Sequence, residues 1–302
     1  MRFKYKPRIL IVGCGDVGLR LIPLLRQRFK IYALTSSPER LEELRARGTC
    51  PIYGNLDEPE SLIRIAAIAP EIIVHLAPPQ NMGAEDLRTR HLLAALGPAS
   101  RSLQRFVYIS TTGVYGDHQG AWVTETSPLK TLSDRAMRRV SAEQQVRAWA
   151  VSHQVRAHIL RVPGIYAFER LPIERLQKGT PALRAEEDVY TSHIHADDLA
   201  RLIWVHLYRG KNQRVVNACD NQSMPMADYF DQVADVFELP RPPRVTRTEL
   251  TQQVSPMMLS FMSESRRLKN QRLQELRFHL QYPTVSDFLA FTSSYLLNSR
   301  SD

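Results

Sequence analysis

Short apolar runs alternate with longer stretches of helical period through the first two-thirds of the chain. RILIV (8–12), KIYALT (30–35), EIIVHLAPP (71–79), RFVYIST (105–111) and VRAHILRV (155–162) are β-branched and bounded by turn residues, so each reads as a buried strand. LRLIPLLRQRF (19–29), a stretch over 84–96 and the segment after Ser133 carry helical spacing, and Ser133 reads as a helix cap. Pro23 interrupts the first helix. Strand and helix in alternation predict a parallel sheet covered on both faces. Pro51 in TCPIYGN (49–55) demotes the third strand to a sheet edge, as the order 3-2-1-4-5-6 requires. Later segments predict a strand and helix over 189–207, a strand over 214–218 and a helix over 223–237. PRPPR (240–244) is a stiff connector, and Asn270 begins the next helix. Asp197 or Asp198 reads as a helix cap.

The first strand runs directly into GCGDVG (13–18), followed by a helix. In that context the glycines have separate duties. Gly13 permits the tight turn, Gly15 lets backbone approach a pyrophosphate, and Gly18 allows close helix packing. Asp16 and Val17 open the helix, whose amides and dipole favour phosphate. The expected fold is therefore α/β: a Rossmann doubly wound parallel sheet with a smaller C-terminal substrate lobe. The Rossmann domain is expected over 1–166, with 189–219 returning to it, and the lobe over 167–188 and 220–302. An NAD site places Asp or Glu near the end of the second strand. Here Thr35, Ser36, Ser37 and Arg40 stand there, which favours NADP(H) over NAD(H). A plainer use exists for the same corner, since Ser36 with Glu39 forms a capping box. Asp57 with Glu60 forms another. Asn55 and Leu56 would lie beside the adenine, and Leu76, Ala77 and Pro78 over the phosphates.

Composition narrows the function classes. The 302 residues are 43% hydrophobic and 24% charged, ordinary for a soluble globular protein. Three scattered cysteines have neither metal nor redox spacing and imply reduced thiols in a cytoplasmic setting. No apolar run reaches membrane-spanning or signal-peptide length. The net charge is +9, with positive residues mostly scattered among acids except over 240–277, where eight Arg/Lys stand against three Glu. No nucleic-acid motif accompanies it, so the excess points to a small anionic ligand and away from nucleic acid.

GCGDVG, HLAPP, YISTTGVYGD, AEQ (142–144), LRVPGIY (160–166) and HIHADDLA (193–200) together resemble the extended short-chain dehydrogenase/reductase superfamily. Its members include NAD(P)-dependent epimerases and dehydratases of nucleotide sugars. The resemblance implies that Thr111 orients a substrate carbonyl, with Thr112 as a further substrate contact. The plainer alternative is a polar turn at a strand end. It also implies that Pro163, Gly164 and Ile165 pass the nicotinamide, and that Arg266 and Arg267 grip a diphosphate. The family's Tyr-x-x-x-Lys pair should fall just before VSAE (140–143), where Arg135 and Arg139 stand. Holding arginine deprotonated at pH 7 costs roughly 8 kcal/mol, at about 1.36 kcal/mol per pKa unit. Neither arginine can replace the tyrosine as acid/base. Arg139 could hold the nicotinamide ribose, and Arg135 a carboxylate or phosphate; alternatively both pair with acids or flank a subunit contact. Of Tyr115, Asp117, His75 and His193, Tyr115 is the best substitute acid. Two functions are open: an NAD(P)-dependent oxidoreductase, epimerase or dehydratase, or an NADP(H)-binding sensor or scaffold without hydride chemistry. Either suits a monomer or a homodimer.

Overall fold

The computed structural model describes residues 5–299. Its largest element is a seven-stranded sheet, made of β1 (Arg8–Val12), β2 (Lys30–Thr35), β3 (Cys50–Tyr53), β4 (Ile72–His75), β5 (Arg105–Thr111), β6 (Arg156–Val162) and β7 (Arg214–Asn217). The strand order is β7-β6-β5-β4-β1-β2-β3, with β3 at the edge where Pro51 placed it. The pairs β1–β2, β2–β3, β1–β4 and β4–β5 are parallel, and Ile9, Leu10, Ile11 and Val12 are fully buried. Strands buried on both faces need helices on both faces, and the chain supplies α1 (Asp16–Leu25), α2 (Leu41–Ala46), α3 (Arg64–Ile68), α4 (Leu87–Leu96), α5 (Asp134–Ser152) and α6 (Ala196–Arg209). Helix α1 ends two residues after Pro23, short of the expected 29.

The chain divides into two compact units. The first holds residues up to Val114, Thr131–Arg161 and Leu199–Val216; the second holds Tyr115–Lys130, Val162–Asp198 and residues from Asn217 on. These boundaries depart from those expected, and pairing explains why. Trp122–Val123 pairs with Arg267–Leu268, and Asp117 accepts a hydrogen bond from the Ser265 amide at 2.9 Å, so 115–130 belongs to the second unit. Gly164–Tyr166 pairs with His193–His195, in a three-stranded sheet completed by Ser223–Pro225. Residues 223–225, expected to begin a helix, are thus a strand, and the helix is Met226–Val236. Asp198 is not a cap: it lies inside α6, where its carboxylate accepts the amides of Gln281 and Tyr282 at 2.8–3.0 Å. Asn270 starts no helix either. It donates to the carbonyls of Cys219 and Asp220, and the next helix is Arg272–Glu275.

In the first unit, helix α5 is fastened to the sheet by a buried polar group. Glu143 accepts from Ser110 Oγ on β5 at 2.6 Å and from Arg161 on β6 at 2.7 and 3.0 Å. Arg161 and Glu143 are 4% and 3% exposed, so removing either charge strands the other away from water. Arg161→Met should cost about 3–5 kcal/mol in urea unfolding. Glu143→Leu/Arg161→Met should lose much less than the two single losses combined; additive losses would show that the pair is not coupled.

Burial in the second unit raises Asp220 to about 8. Its Oδ1 accepts the Gln222 amide at 3.0 Å, while its Oδ2 and the Tyr166 hydroxyl are buried without a well-formed hydrogen bond. An unfolded Asp titrates near 4, so the folded state holds the proton more tightly. That stabilisation is full below pH 4 and is lost as pH rises through about 8. Asp220→Asn should raise stability at pH 9 relative to the parent and flatten its decline between pH 5 and 9. Parallel stability–pH curves for the two proteins would assign the decline to another group.

Candidate functional site

A cleft of about 340 Å³ opens in the first unit, beyond the carboxyl ends of β1, β2 and β4. It is lined by Gly13, Cys14 and Gly15 after β1, by Thr35, Ser36, Ser37 and Arg40 after β2, and by Asn55 and Leu56 after β3. Leu76, Ala77, Pro78 and Arg88 complete the wall. Gly13 has φ +82°, and a Cβ there would meet Ala77 backbone atoms at 2.6–2.7 Å. At Gly15 the reverse holds: a Cβ would meet nothing within 4 Å, so backbone borders open space. A Cβ on Gly18 would meet Cys14 Sγ at 3.0 Å and Leu76 at 3.3 Å. Asp16, Val17 and Gly18 begin α1, whose N-cap is Gly15 with no side-chain cap bond. Asp16 turns along the helix to pair with Arg20 at 2.8 Å. A helix start beside open space is a ready anion site.

The β2 corner is not a capping box. The cap residue is Ser37, without a side-chain bond, and its amide donates to Thr35 Oγ1 at 3.2 Å. Arg40 reaches back across the corner, donating to the Cys14 carbonyl at 2.9 Å and to Glu43 at 3.2 Å. The second expected box is also absent. Glu58 is the cap there, and Asp57 instead takes a bidentate bond from Arg88 at 2.7 and 2.5 Å. That partner holds Asp57 below the usual carboxylate range. Sequence reasoning missed Arg88, because nothing local pairs residues 31 positions apart.

The two arginines of α5 behave differently. Ser133 caps the helix as expected, accepting the Ala136 amide at 3.3 Å. Arg139 leans in and donates to the Tyr108 hydroxyl at 3.1 Å and the Ile109 carbonyl at 2.9 Å. Arg135 does not lean in; it is exposed. The buried arginine that the helical stripe did not single out is Arg138, which donates to the Gly83 carbonyl at 2.6 Å. Thr111 is half-buried at the end of β5 and accepts the Gly113 amide at 3.2 Å, while Thr112 is buried.

The substitute acids named from sequence are buried or hydrogen-bonded. Tyr115 is fully buried and its hydroxyl donates to Asn217 Oδ1 at 2.6 Å. His75 is buried against Thr89 at 3.1 Å, and burial, with Arg139 nearby, lowers it to about 3, so it stays neutral. His193 in the second unit is neutral for the same reason, lowered to about 4 by burial. Tyr108, under Arg139, is pushed up to about 12 by burial. Asp117 accepts the amides of Ser265 and Gln119.

Several basic residues of the second unit are bonded within it. Arg266 donates to the Gly116 carbonyl and Glu264, at 2.9 and 2.8 Å. Arg267 donates to the Gly120 carbonyl at 2.6 Å and stacks between Trp122 and Tyr190, 5.1 and 4.8 Å from their ring centres. Arg241, Arg244 and Arg272 pair with Asp235, Asp231 and Glu125. Pro163, Gly164 and Ile165 also fall in this unit, Gly164 and Ile165 within its sheet.

A parallel sheet with a Gly-turn cleft at its carboxyl edge is the frame of a dinucleotide-binding fold, and sequence comparison names the family. The model of the NAD dependent epimerase/dehydratase family matches residues 9–219. The chain belongs to this family. It is similar to a Silicibacter pomeroyi protein of unknown function, at 27% identity over 96% of this chain and 99% of that one, with a TM-score of 0.80. A Methylobacillus flagellatus protein described as an NAD-dependent epimerase/dehydratase is 26% identical over 96% and 99% of the two chains, with a TM-score of 0.72. UDP-glucose 4-epimerase from Thermotoga maritima, solved with UDP-glucose, shares the fold at 15% identity, covering 97% and 99%, with a TM-score of 0.77. A comparison with curated proteins returned no match.

In this chain Arg139 is a strap between helix and strand. Arg139→Met, which removes bonds to Tyr108 and Ile109, should cost about 1–3 kcal/mol in chemical denaturation. Arg135→Met at the exposed position should stay within about 0.5 kcal/mol of the parent. Equal losses would place the two arginines in the same environment.

Proposed function

We propose that this epimerase/dehydratase-family chain binds NADP(H) and acts as an oxidoreductase on a small anionic, nucleotide-sugar-like substrate. The observation that carries the cofactor reading is the cleft. Gly15 leaves room where a side chain would block a pyrophosphate, and the uncapped start of the ten-residue helix α1 adjoins it. The residues present therefore fit a dinucleotide. The choice of NADP(H) over NAD(H) rests on Arg40 with Ser36 and Ser37 at the β2 corner. No carboxylate lines the cleft there to repel a 2′-phosphate. Once bound, such a cofactor supplies hydride transfer. The chain's own part is to seat it and to offer the Thr111 hydroxyl at the end of β5 for a substrate carbonyl. Arg135, exposed on α5, is the cation for an anionic substrate group. UDP-glucose in the Thermotoga relative supports the nucleotide-sugar class.

A specific observation favours a second reading, dinucleotide binding without hydride chemistry. Arginines stand at 135 and 139, where the resemblance would place a Tyr-x-x-x-Lys pair, and the Tyr115 hydroxyl donates to Asn217. Calorimetric titration with NADPH and NADH comes first. Arg40→Ala should weaken NADPH at least tenfold while changing NADH by less than threefold, because a guanidinium–phosphate bond is charge-assisted. Equal losses would defeat the 2′-phosphate assignment. With a turned-over substrate in hand, Thr111→Val should abolish the rate and leave NADPH affinity intact. Unchanged turnover would remove Thr111 from the chemistry, and absence of hydride transfer with sugar nucleotides would favour the second reading.

A further inference from the structure

The cleft carries a second arginine, and its bonding differs from that of Arg40. Arg88 sits in the first turn of α4, whose position is set from within. Asp86 caps the helix, accepting from the Thr89 amide at 3.0 Å and the Thr89 hydroxyl at 2.7 Å, and that hydroxyl lies 3.1 Å from His75 Nε2 on β4. From this anchored turn the Arg88 side chain crosses to the loop after β3. Its Nε and Nη2 donate to the two oxygens of Asp57, at 2.7 and 2.5 Å, and its Nη1 donates to the Pro78 carbonyl at 3.1 Å. Each nitrogen of the guanidinium thus donates a bond, and Asp57 balances its charge. A cation so compensated is a poor phosphate ligand, and what it offers the cleft is its flat face.

The neighbours at this end leave that face a clear task. The Asn55 side chain is committed, donating to Glu58 at 2.9 Å and accepting the Asp57 amide at 3.0 Å. Leu56 and Pro78 add apolar surface to the same wall. An apolar wall with a flat guanidinium, each of whose nitrogens already donates a bond, suits an aromatic ring that stacks, since guanidinium planes stack on π-systems.

We propose that Arg88 is the platform on which the purine base of the dinucleotide stacks, held flat by Asp57 and the Pro78 carbonyl. This rests on the dinucleotide reading above and assigns the two arginines separate parts: Arg40 reads the 2′-phosphate and Arg88 carries the base.

The test is calorimetric titration of the purified chain with NADPH, NADH, adenosine 2′,5′-bisphosphate and reduced nicotinamide mononucleotide. Arg88→Met and Arg88→Tyr are compared with the parent, with thermal unfolding as a check that each variant folds. Arg88→Met should weaken the three adenine-bearing ligands by about 3- to 10-fold, the range for a cation–π contact. The NADPH-to-NADH ratio and the affinity for the mononucleotide should not move. Arg88→Tyr, which supplies a stacking ring without charge, should recover most of the loss. The proposal fails if Arg88→Met binds the bisphosphate as the parent does, if only the 2′-phosphorylated ligands weaken, or if Arg88→Tyr recovers nothing. A parent chain that binds none of the adenine ligands would overturn the dinucleotide reading and this one with it, whereas parent binding matched by Arg88→Met would overturn this one alone.

Discussion

The close approach of β4 to the turn after β1 is the constraint on which the cleft depends. Gly13 has a left-handed φ, and Ala77 backbone stands where its Cβ would be. The same crossing is hydrogen-bonded on both sides: the Leu76 and Ala77 amides donate to the Val12 carbonyl at 2.8 and 3.0 Å, and the Gly13 amide donates to the Leu34 carbonyl at 3.3 Å. Three strand ends are thereby drawn to one point. A side chain at 13 would push β4 away and bring a strained backbone with it. Everything a ligand would touch in the first unit, from the start of α1 to Arg40 and Arg88, is positioned relative to that point.

Helix α5 is the second fixed body, and its attachment bears on what the family's chemistry can be here. The Ser110–Glu143–Arg161 group joins α5 to two neighbouring strands where water cannot compete. Arg139 adds a bond to the carbonyl of Ile109, two residues before Thr111 on the same strand. This helix carries Arg135 and Arg139. A guanidinium holds charge and donates hydrogen bonds, yet it cannot cycle a proton near neutral pH. Arginines on α5 can therefore bind and position a ligand, whereas proton transfer needs a different group, and this separates the question of binding from the question of turnover.

Much of this frame was legible in the sequence, because it is written in local signals. Strand runs, the Gly-x-Gly-x-x-Gly turn, Pro51 at the edge strand and the Ser133 cap each act over a few residues, and each appears where expected. The cleft residues followed from strand ends in the same way. What was not legible depends on distant partners. Helical spacing put Arg135 and Arg139 on one stripe, but the width of the buried face decided that Arg138 goes in and Arg135 stays out. Tyr115 looked available until the fold brought Asn217 to its hydroxyl, 102 positions along the chain. The unit boundaries moved for the same reason, since a two-residue strand at Trp122–Val123 has no sequence signature and its partner lies at Arg267–Leu268.

The cleft's two arginines show how compensation, more than residue type, decides what a cation can do. Arg40 shares its charge with Glu43, on its own helical turn, and spends another bond on a neutral carbonyl. Glu43 and Asp57 are similarly exposed, at 40% and 44%, so the two pairs differ in geometry: Arg40 gives Glu43 a single bond at 3.2 Å. Arg88 faces a carboxylate that takes two parallel bonds, the strongest arrangement open to it, and that match removes the incentive to bind a further anion. A phosphate arriving at Arg88 would have to displace Asp57, whereas one arriving at Arg40 adds to a partly satisfied cation. An aromatic ring makes no such demand, because it approaches perpendicular to the plane in which the hydrogen bonds lie. One residue type, placed twice on the same wall, can thus discriminate charge at one end of a ligand and shape at the other.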